Sequence, residues 1–251
     1  MINVKNLYKS FNGKSVLNDI SVTFETGITN LVIGRSGSGK TVLLKSLVGL
    51  LDIESGEIWY ENTLFNKLDF KDRKAIRSEM GMLFQGSALF DSLTVEQNVR
   101  FPLDMFTDIS AEEKIERVNF CLNRVDIVNA NKLFPAELSG GMKKRVAIAR
   151  AISLNPKYLF CDEPNSGLDP ITAILIDALI KELTEEYSMT TIVNTHDMNS
   201  VMEIGEKIIF ISEGIKCWEG NRNDVLNSDC EILNDFVFAN SLAKKLKFTD
   251  K

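Results

Sequence analysis

A glycine-rich loop at residues 34–41, GRSGSGKT, has the strongest chemical signal in this sequence of 251 residues. It follows a short apolar run at 29–33 and precedes a stretch with helical spacing at 40–50. Glycines let backbone N–H groups approach phosphate oxygens, and a helix N-terminus favours negative charge. Lys40 would reach the β- and γ-phosphates of a nucleotide, and the Thr41 hydroxyl would hold Mg²⁺. The alternative is a glycine-rich turn that binds nothing.

Two carboxylates end the apolar segment YLFCDE at 158–163. Asp162 suits a role in holding Mg²⁺, and Glu163 is placed to orient or deprotonate an attacking water. An acidic pair after a strand can also simply cap the next helix. Its occurrence downstream of a phosphate-binding loop favours the catalytic interpretation.

The segment LSGGMKKR at 138–145 is a second candidate for anion binding. Ser139, Gly140 and Gly141 precede a predicted helix at 142–154 and would present exposed backbone N–H groups. The first loop already provides a full site for one nucleotide. The second anion site, at LSGG, is therefore explained if it binds the phosphate of a nucleotide that another copy of the chain holds. The simpler interpretation is a serine N-cap followed by glycines that allow close packing.

Strands and helices alternate along most of the chain, which is typical of an α/β fold with a parallel sheet. Strands are predicted at 16–25, 29–33, 57–60, 80–84, 157–161, 190–194 and 207–211, and helices at 40–50, from Ser110 through Leu122, at 142–154 and at 170–187. Ser110 and Glu113 have the spacing of a capping box. The stretch 88–154 shows little strand signal, and we interpret it as a helical subdomain inserted into the α/β core.

The overall composition restricts the partners of the protein. A net charge of −6 gives no general reason to bind nucleic acid or an anionic membrane. The four cysteines form no C-x-x-C pair, and a single histidine cannot make a histidine-rich metal site. The first residues, MINVKNLYKS, do not have the pattern of a signal peptide. Because no apolar run has the length of a membrane span, we expect that the chain does not cross a membrane by itself.

Together, GRSGSGKT, LSGGMKKR, LFCDEP, SGLD and a following TH resemble the motifs of ABC transporter ATP-binding subunits, in the family's order and over almost the whole chain. The resemblance implies a P-loop NTPase core of the ABC ATPase type, with an antiparallel β edge and the inserted α-helical subdomain. The ABC ATPase cassette would cover 1–220, with the helical subdomain at approximately 88–154, and 221–251 would be a C-terminal helical extension.

The resemblance also implies roles for single residues. Phe11 would stack on adenine, with Tyr8 as the nearby alternative. Gln85 corresponds to the Q-loop glutamine, which touches Mg²⁺ and senses the membrane partner. Asp169 belongs to the D-loop, which crosses the dimer interface. His196 corresponds to the switch histidine that contacts the γ-phosphate, although a lone histidine after a strand is more often a residue with satisfied hydrogen bonds.

In this family two copies enclose two ATP molecules, each between one phosphate-binding loop and the partner's LSGG segment. The implied activity is that of an ABC-type ATPase with ATP and Mg²⁺, acting as a homodimer. The implied catalytic residues are Lys40, Gln85, Ser139, Glu163 and His196. The implied nucleotide contacts are Phe11, Gly34, Arg35, Ser36, Gly37, Ser38, Gly39, Lys40, Thr41, Val42, Ser139, Gly140, Gly141 and Asp169. The implied Mg²⁺ ligands are Thr41, Gln85 and Asp162.

Two stretches, LSGGMKKRVAIARA and GMLFQGSALFDSLTVEQNVRFPL, resemble the ATPases of Mla-type phospholipid transporters, the MlaF-like group. Met142 stands where the ABC family usually has glutamine, a change that removes one polar contact near the ribose. The resemblance implies phospholipid transport between bacterial inner and outer membranes. The implied partners are an integral-membrane permease of the MlaE type and an MCE-domain protein of the MlaD type, but no nucleic acid. The implied location is the cytoplasmic side of the inner membrane, as a peripheral subunit.

Two other functions are alternatives. A transporter ATPase of the same type could serve another cargo, such as an amino acid, a metal or a lipoprotein. A soluble ABC ATPase acting on ribosomes or DNA is disfavoured, because the chain has one cassette and no coiled coil between its first loop and LSGG.

Two segments could bind partner proteins. Residues 86–106 are predicted to be rich in loops, and their apolar side chains, Phe90 and Leu93 among them, could form a groove for a partner helix. Alternatively, they pack the helical subdomain. Ser228 and Glu231 predict a capped helix over 228–247, which either docks on its own domain or reaches a second subunit.

Overall fold

The computed structural model describes residues 1–238, which fall into two compact units. The first unit comprises Met1–Glu25, Thr29–Lys67 and the chain from Asn194 onward, and the second comprises Thr26–Ile28 and Leu68–Val193. The strands are β1 (Ile2–Phe11), β2 (Lys14–Phe24), β3 (Thr29–Ile33), β4 (Ser55–Tyr60), β5 (Thr63–Leu64), β6 (Met80–Leu83), β7 (Tyr158–Asp162), β8 (Thr190–Thr195), β9 (Lys207–Ser212) and β10 (Ile215–Gly220). The α-helices are α1 (Lys40–Leu47), α2 (Phe70–Arg77), α3 (Val95–Phe106), α4 (Ala111–Arg124), α5 (Gly140–Ile152), α6 (Pro170–Glu186), α7 (Met198–Ile204) and α8 (Glu231–Val237).

The first unit contains an antiparallel sheet in the order β2-β1-β4-β5. Alternate apolar residues of β2, Ile20, Val22 and Phe24, are buried, as their spacing predicts. The same unit holds β3, whose five residues are all buried, beside the parallel strand β9 and the antiparallel strand β10. Burial on both faces explains why β3 is continuously apolar except for its first two residues.

The second unit combines the parallel strands β6 and β7 with the helices α2 to α6. Helix α4 begins with the predicted capping box: Ser110 Oγ accepts from the Glu113 amide, and the Glu113 carboxylate accepts from the Ser110 amide. Helix α5 is largely buried from Val146 to Ile152. This packing explains the alanines and branched apolar residues in that segment.

The α/β prediction is confirmed, and most predicted elements occur within a few residues of their predicted bounds. Strands β1, β5 and β10 and helices α2, α3 and α7 were not predicted. The helix expected at 142–154 already begins at Gly140, because Ser139 caps it and both glycines adopt helical conformation. The predicted boundary between the cassette and the extension at 220/221 stays a prediction.

The interpretation of 86–106 as rich in loops was wrong for its second half, where α3 occupies Val95–Phe106. Thr94 and Gln97 form a capping box at its start, and Pro102 lies inside the helix. The side chain of Asn98 holds the preceding turn through hydrogen bonds to the backbone of Phe90 and Leu93. Pro102 concealed the helix in the sequence, although the capping box of Thr94 and Gln97 marks its start.

The predicted Ser228 cap was also wrong. Helix α8 begins at Glu231 with Cys230 at its N-cap and no side-chain cap, while Ser228 Oγ accepts from the Cys230 amide. The ring of Phe236 lies 5.4 Å from that of Phe210 in β9, so this part of the helix packs on its own unit. The remainder of the predicted helix, from residue 239, lies outside the described residues. Within residues 1–238, no helix combines the length and apolar character that crossing a membrane requires.

Candidate functional site

The glycine-rich loop of the first unit joins the buried strand β3 to α1, as predicted. Gly34 has a φ of 151°, and a Cβ placed there would lie 2.2 Å from the carbonyl oxygen of Ile211. Gly39, the N-cap of α1, has a φ of 107°. A Cβ on Gly39 would lie 2.8 Å from a methyl group of Leu17, so both positions require glycine for space as well as for backbone conformation. The absence of a side chain at Gly34 consequently lets the loop pass close to β9.

Lys40 and Ser38 place polar side-chain atoms inside this loop. Lys40 is only 5 % exposed, and its Nζ donates to the carbonyls of Gly34 at 2.9 Å and Arg35 at 3.1 Å. The buried Oγ of Ser38 has no hydrogen-bond partner among residues 1–238. Arg35, Ser36 and Gly37 are exposed, whereas Thr41 and Val42 are half-buried. A loop with a buried ammonium and an unsatisfied hydroxyl fits a phosphate group.

Phe11 and His196 are the other predicted site residues of the first unit. Phe11 ends β1, is 41 % exposed, and has the Lys9 ammonium 5.0 Å from its ring centroid. An exposed ring at a strand end can stack on a base, whereas Tyr8 is half-buried. His196 directly follows β8 and is exposed. The roles of both residues stay predictions.

The acidic pair of the second unit lies at the end of β7, whose five residues are all buried. Asp162 is 4 % exposed, and Glu163 is half-buried. Glu163 has a φ of 50°, a left-handed conformation that is uncommon outside glycine. Its carbonyl accepts from the Ser166 amide at 3.1 Å, which closes a turn. The turn sets the direction in which the Glu163 side chain leaves the strand.

Gln85 is exposed and follows β6, the strand that pairs with β7 in parallel register. Its backbone carbonyl accepts a hydrogen bond from Lys144 Nζ of α5, and the same Nζ lies 3.5 Å from the carbonyl of Glu163. Two predicted site residues of the second unit are thus connected by a lysine that was not predicted to belong to the site. Its only signal in the sequence was its place among the three bases after LSGG.

The LSGG segment forms the cap and first turn of α5. Ser139 Oγ accepts from the Met142 amide at 3.2 Å, which confirms the N-cap interpretation without excluding a second contact of the hydroxyl. A Cβ on Gly141 would lie 2.8 Å from the Thr172 methyl group, so glycine here permits close packing against α6. Gly140 has more room, since a Cβ at this position would lie 3.5 Å from a methyl group of Leu168.

Asp169, the predicted D-loop residue, caps α6 and lies beside the LSGG segment. Its carboxylate accepts from the Thr172 hydroxyl at 2.6 Å and the Thr172 amide at 3.0 Å, and these bonds lower the pKa of Asp169. One open cavity of about 680 Å³ is lined by both segments and by a neighbouring loop; its lining includes Ser139, Gly140, Gly141, Gly167, Asp169 and Val128. The second unit thus presents the LSGG and SGLD segments on one concave surface.

Comparison with known proteins finds the sequence similar to ABC transporter ATP-binding proteins. The family model described as ABC transporter matches residues 17–166. The methionine import ATP-binding protein MetN of Carboxydothermus hydrogenoformans is 38 % identical over 241 residues, which cover 94 % of this chain and 71 % of that protein. The probable ribonucleotide transport ATP-binding protein mkl of Mycobacterium leprae is 35 % identical over 236 residues, covering 94 % and 68 % of the two chains.

A solved structure with a similar fold is the ATP-binding cassette MJ0796, a dimer in a post-hydrolysis state bound to ADP and Pi. The two folds superpose with a TM-score of 0.81 at 33 % sequence identity, over 88 % of this chain and 99 % of that chain.

Proposed function

The chain belongs to the ABC transporter family, and from this premise we propose that it drives phospholipid transport between the inner and outer membranes of a bacterium. As an ABC-type ATPase it binds ATP with Mg²⁺ and hydrolyses the ATP. ATP-binding subunits of this family dimerise and work with membrane permeases. The observation that supports the phospholipid cargo is the sequence of α5 and its cap, LSGGMKKRVAIARA, with Met142 where the family usually has glutamine.

The first unit is proposed to hold the phosphates. Backbone N–H groups of residues 34–39 and the Lys40 ammonium surround the β- and γ-phosphates, and the buried Ser38 hydroxyl supplies a further donor. The Phe11 ring stacks on adenine, and His196 contacts the γ-phosphate. These groups supply positioning and electrostatic stabilisation, which account for most of the catalysis of phosphoryl transfer.

Glu163 is the proposed general base. It accepts a proton from the water that attacks the γ-phosphorus, and the bond between this phosphorus and the β,γ-bridging oxygen breaks, giving ADP and phosphate. The proposed Mg²⁺ ligands are Thr41, Gln85 and Asp162, whose hydroxyl, amide and carboxylate oxygens are of the kind that Mg²⁺ prefers. When bound, Mg²⁺ neutralises part of the phosphate charge.

Ser139, Gly140 and Gly141 are proposed to contact the γ-phosphate held by a second copy of the chain. Support comes from the cavity beside Asp169, which is open and has the cap of α5 on its surface. A helix N-terminus with two glycines is suited to an anion. Arg145 also lines the cavity, but its guanidinium is paired with Asp126 at 3.2 Å, so the support comes from the backbone amides at the start of α5. The proposed active form is therefore a homodimer with two shared sites.

An apolar groove in the second unit is the proposed docking site of an MlaE-like permease. It has a volume of about 350 Å³ and is lined by residues of β6, α3 and α5 and by Phe84, Phe90 and Leu154, which lie just outside these elements. The rings of Phe90 and Phe101 lie 4.8 Å apart and are both partly exposed. Leu93, the other candidate, is half-buried and does not line the groove. Residues that line the groove stand on both sides of Gln85 in the chain, Phe84 before it and Ala88 after it, which suits transmission of ATP-driven closure.

The remaining parts of the proposal concern location and assembly. We place the chain at the cytoplasmic side of the inner membrane as a peripheral subunit, with an MCE-domain protein of the MlaD type as a further component. A second candidate function is methionine or other amino-acid import, which the 38 % identity to MetN favours. The two candidates share the ATPase mechanism and differ in cargo and in partners.

The proposal is tested by purifying the tagged full chain from its native membranes in mild detergent and identifying the proteins and lipids that accompany it. We expect a polytopic permease, an MCE-domain protein and phospholipid. A permease with a solute-binding protein would replace the phospholipid cargo by a soluble one. Recovery with ribosomes or DNA alone would refute a transport function.

Two phenylalanine variants locate the permease contact in the same experiment. Phe90→Glu places a charge in the apolar groove and is expected to lose the permease. Phe120→Glu changes an equally exposed ring on α4, 48 % exposed against 42 % for Phe90, and is expected to retain it. If Phe90→Glu retains the permease as well as Phe120→Glu does, the groove is not the docking site of the permease.

A further inference from the structure

Helix α5 carries two basic side chains that are buried and lie outside the predicted site. Lys144 is 4 % exposed and Arg150 is 9 % exposed. Burying a cation is costly unless hydrogen bonds replace its hydration. Both cations find these bonds in one short segment, residues 85–88, which follows β6.

Arg150 fixes the far end of this segment. Its guanidinium donates to the carbonyls of Ser87 at 2.8 Å and Ala88 at 2.7 Å. Ser87 and Ala88 both have positive φ values, 63° and 48°, which residues other than glycine rarely adopt. The two hydrogen bonds therefore stabilise a backbone conformation that is locally unfavourable.

Lys144 fixes the near end of the segment and also reaches β7. Its Nζ donates to the carbonyl of Gln85 and lies 3.5 Å from the carbonyl of Glu163. Burial lowers the pKa of Lys144, while Cys161, Glu163 and Asp162 act in the opposite direction. The lysine thus joins three pieces of chain: the helix that LSGG begins, the backbone of Gln85 and the turn that carries Glu163.

We propose that Lys144 is a positioning residue for ATP hydrolysis, which holds the backbones of Gln85 and Glu163 in a fixed relation to α5. It touches neither ATP nor the attacking water; it acts through the carbonyls that set the directions of the Gln85 and Glu163 side chains. Motion of α5 on dimer closure is then transmitted to both residues by one ammonium group. The inference rests on the proposed roles of Gln85 and Glu163.

Lys144→Met tests the proposal in the full chain, assayed in the complex purified from membranes. Methionine keeps much of the length and the apolar stem but removes the donor and the charge. We expect kcat for ATP hydrolysis to fall roughly ten- to hundredfold, since misplacing a catalytic group by about 1 Å costs on this order. KM for ATP and the binding of ATP should change less than about twofold, because the phosphate-binding loop lies in the other unit.

Three further variants make the result decisive. Lys143→Met changes the neighbouring, half-buried lysine of the same helix and should leave kcat unchanged. Lys144→Arg keeps a cationic donor and should recover a large part of kcat. Lys144→Gln, which keeps a shorter neutral donor, replaces the methionine variant if that variant does not fold, and the same fall in kcat is expected.

The proposal is overturned if folded Lys144→Met hydrolyses ATP at the normal rate. It is also overturned if kcat, ATP affinity and melting temperature all fall together in both Lys144→Met and Lys144→Gln, which would indicate general destabilisation. Glu163→Gln, measured in parallel, separates this outcome from a failure of the proposed function. Normal hydrolysis by Glu163→Gln would refute the role of Glu163 itself, whatever the Lys144 variants show.

Discussion

Glu163 combines a carboxylate at the end of a buried strand with a left-handed backbone conformation, φ 50°. For a residue with a Cβ this conformation costs about 1 kcal/mol or more. Its carbonyl is held by the Ser166 amide and lies near the Lys144 ammonium, so the surroundings stabilise the turn. Strain of this kind persists where the neighbouring structure overdetermines it, and it often marks functional positions.

Replacing Glu163 by glutamine should leave ATP binding intact and slow hydrolysis about a hundredfold or more, because the amide cannot accept the proton of the attacking water. ATP affinity and kcat of the purified chain or complex are the measurements. Glu61→Gln is a matched control, since Glu61 also has a positive φ, 53°, but lies in the turn between β4 and β5. Near-normal turnover of Glu163→Gln would exclude Glu163 as the base.

At the scale of elements, helices begin where a side chain satisfies the first backbone amides. Thr94, Ser110, Ser139 and Asp169 cap α3 to α6 in this way. Such caps matter because the first N–H groups of a helix have no partner within it. Two of these caps, Ser139 and Asp169, also lie on the proposed dimer surface, so stability and binding share the same residues.

Ser110→Ala removes the cap of α4 and should lower the free energy of unfolding by about 1 kcal/mol. For a chain of this size the melting temperature should fall by roughly 2–4 °C. Ser92→Ala, at an exposed position in the turn before α3, is the control and should change neither quantity. An equal melting temperature for Ser110→Ala and the parent chain would show that the cap contributes nothing.

The same cap has a defined pH dependence. Hydrogen bonds to the backbone and side chain of Ser110 hold the pKa of Glu113 below its usual range. A carboxyl with a lowered pKa in the folded state stabilises the fold above its ordinary pKa and loses this contribution as the pH falls through the lowered value. The difference in melting temperature between Ser110→Ala and the parent should therefore decrease in acid.

At the scale of the whole molecule, one chain has one phosphate-binding loop and one LSGG segment. If the two segments act on the same ATP only across a dimer, variants of each should complement one another. Complementation of this kind distinguishes a site shared by two chains from a site within one chain, whatever the cargo is. A shared site also explains why LSGG has the features of an anion site although the phosphate-binding loop lies in a different part of the chain.

Ser139→Arg should retain ATP binding and lose hydrolysis, because the large cation occupies the open cavity where the partner's γ-phosphate would lie. Ser139→Ala removes the hydroxyl that caps α5 and is proposed to contact the γ-phosphate, but it adds no bulk, so a smaller loss of rate than that of Ser139→Arg is expected. Mixing Ser139→Arg with Lys40→Ala should restore hydrolysis, since mixed dimers contain one site with both intact segments. Absence of any restored activity, with mixed dimers demonstrated, would contradict the shared site.

The sequence by itself determined the α/β class, most element positions and the residues of the motifs. These properties depend on interactions within a few residues, such as the Ser110–Glu113 capping box and the buried alternation of β2. Segment 86–106 shows the limit of this reasoning. There, the Thr94–Gln97 capping box marks the start of α3, but Pro102 interrupts the helical pattern that would otherwise predict the rest of the helix.

Only the tertiary structure decided which residues outside the motifs connect them. Lys144 contacts Gln85 across 59 residues, and Arg150 contacts Ser87 across 63 residues. A lysine in a run of bases has the same local pattern whether it is solvated or buried, because burial is set by the chain segments that pack around it. The folded chain therefore reveals a link between LSGG, Gln85 and Glu163 that no spacing in the sequence contains.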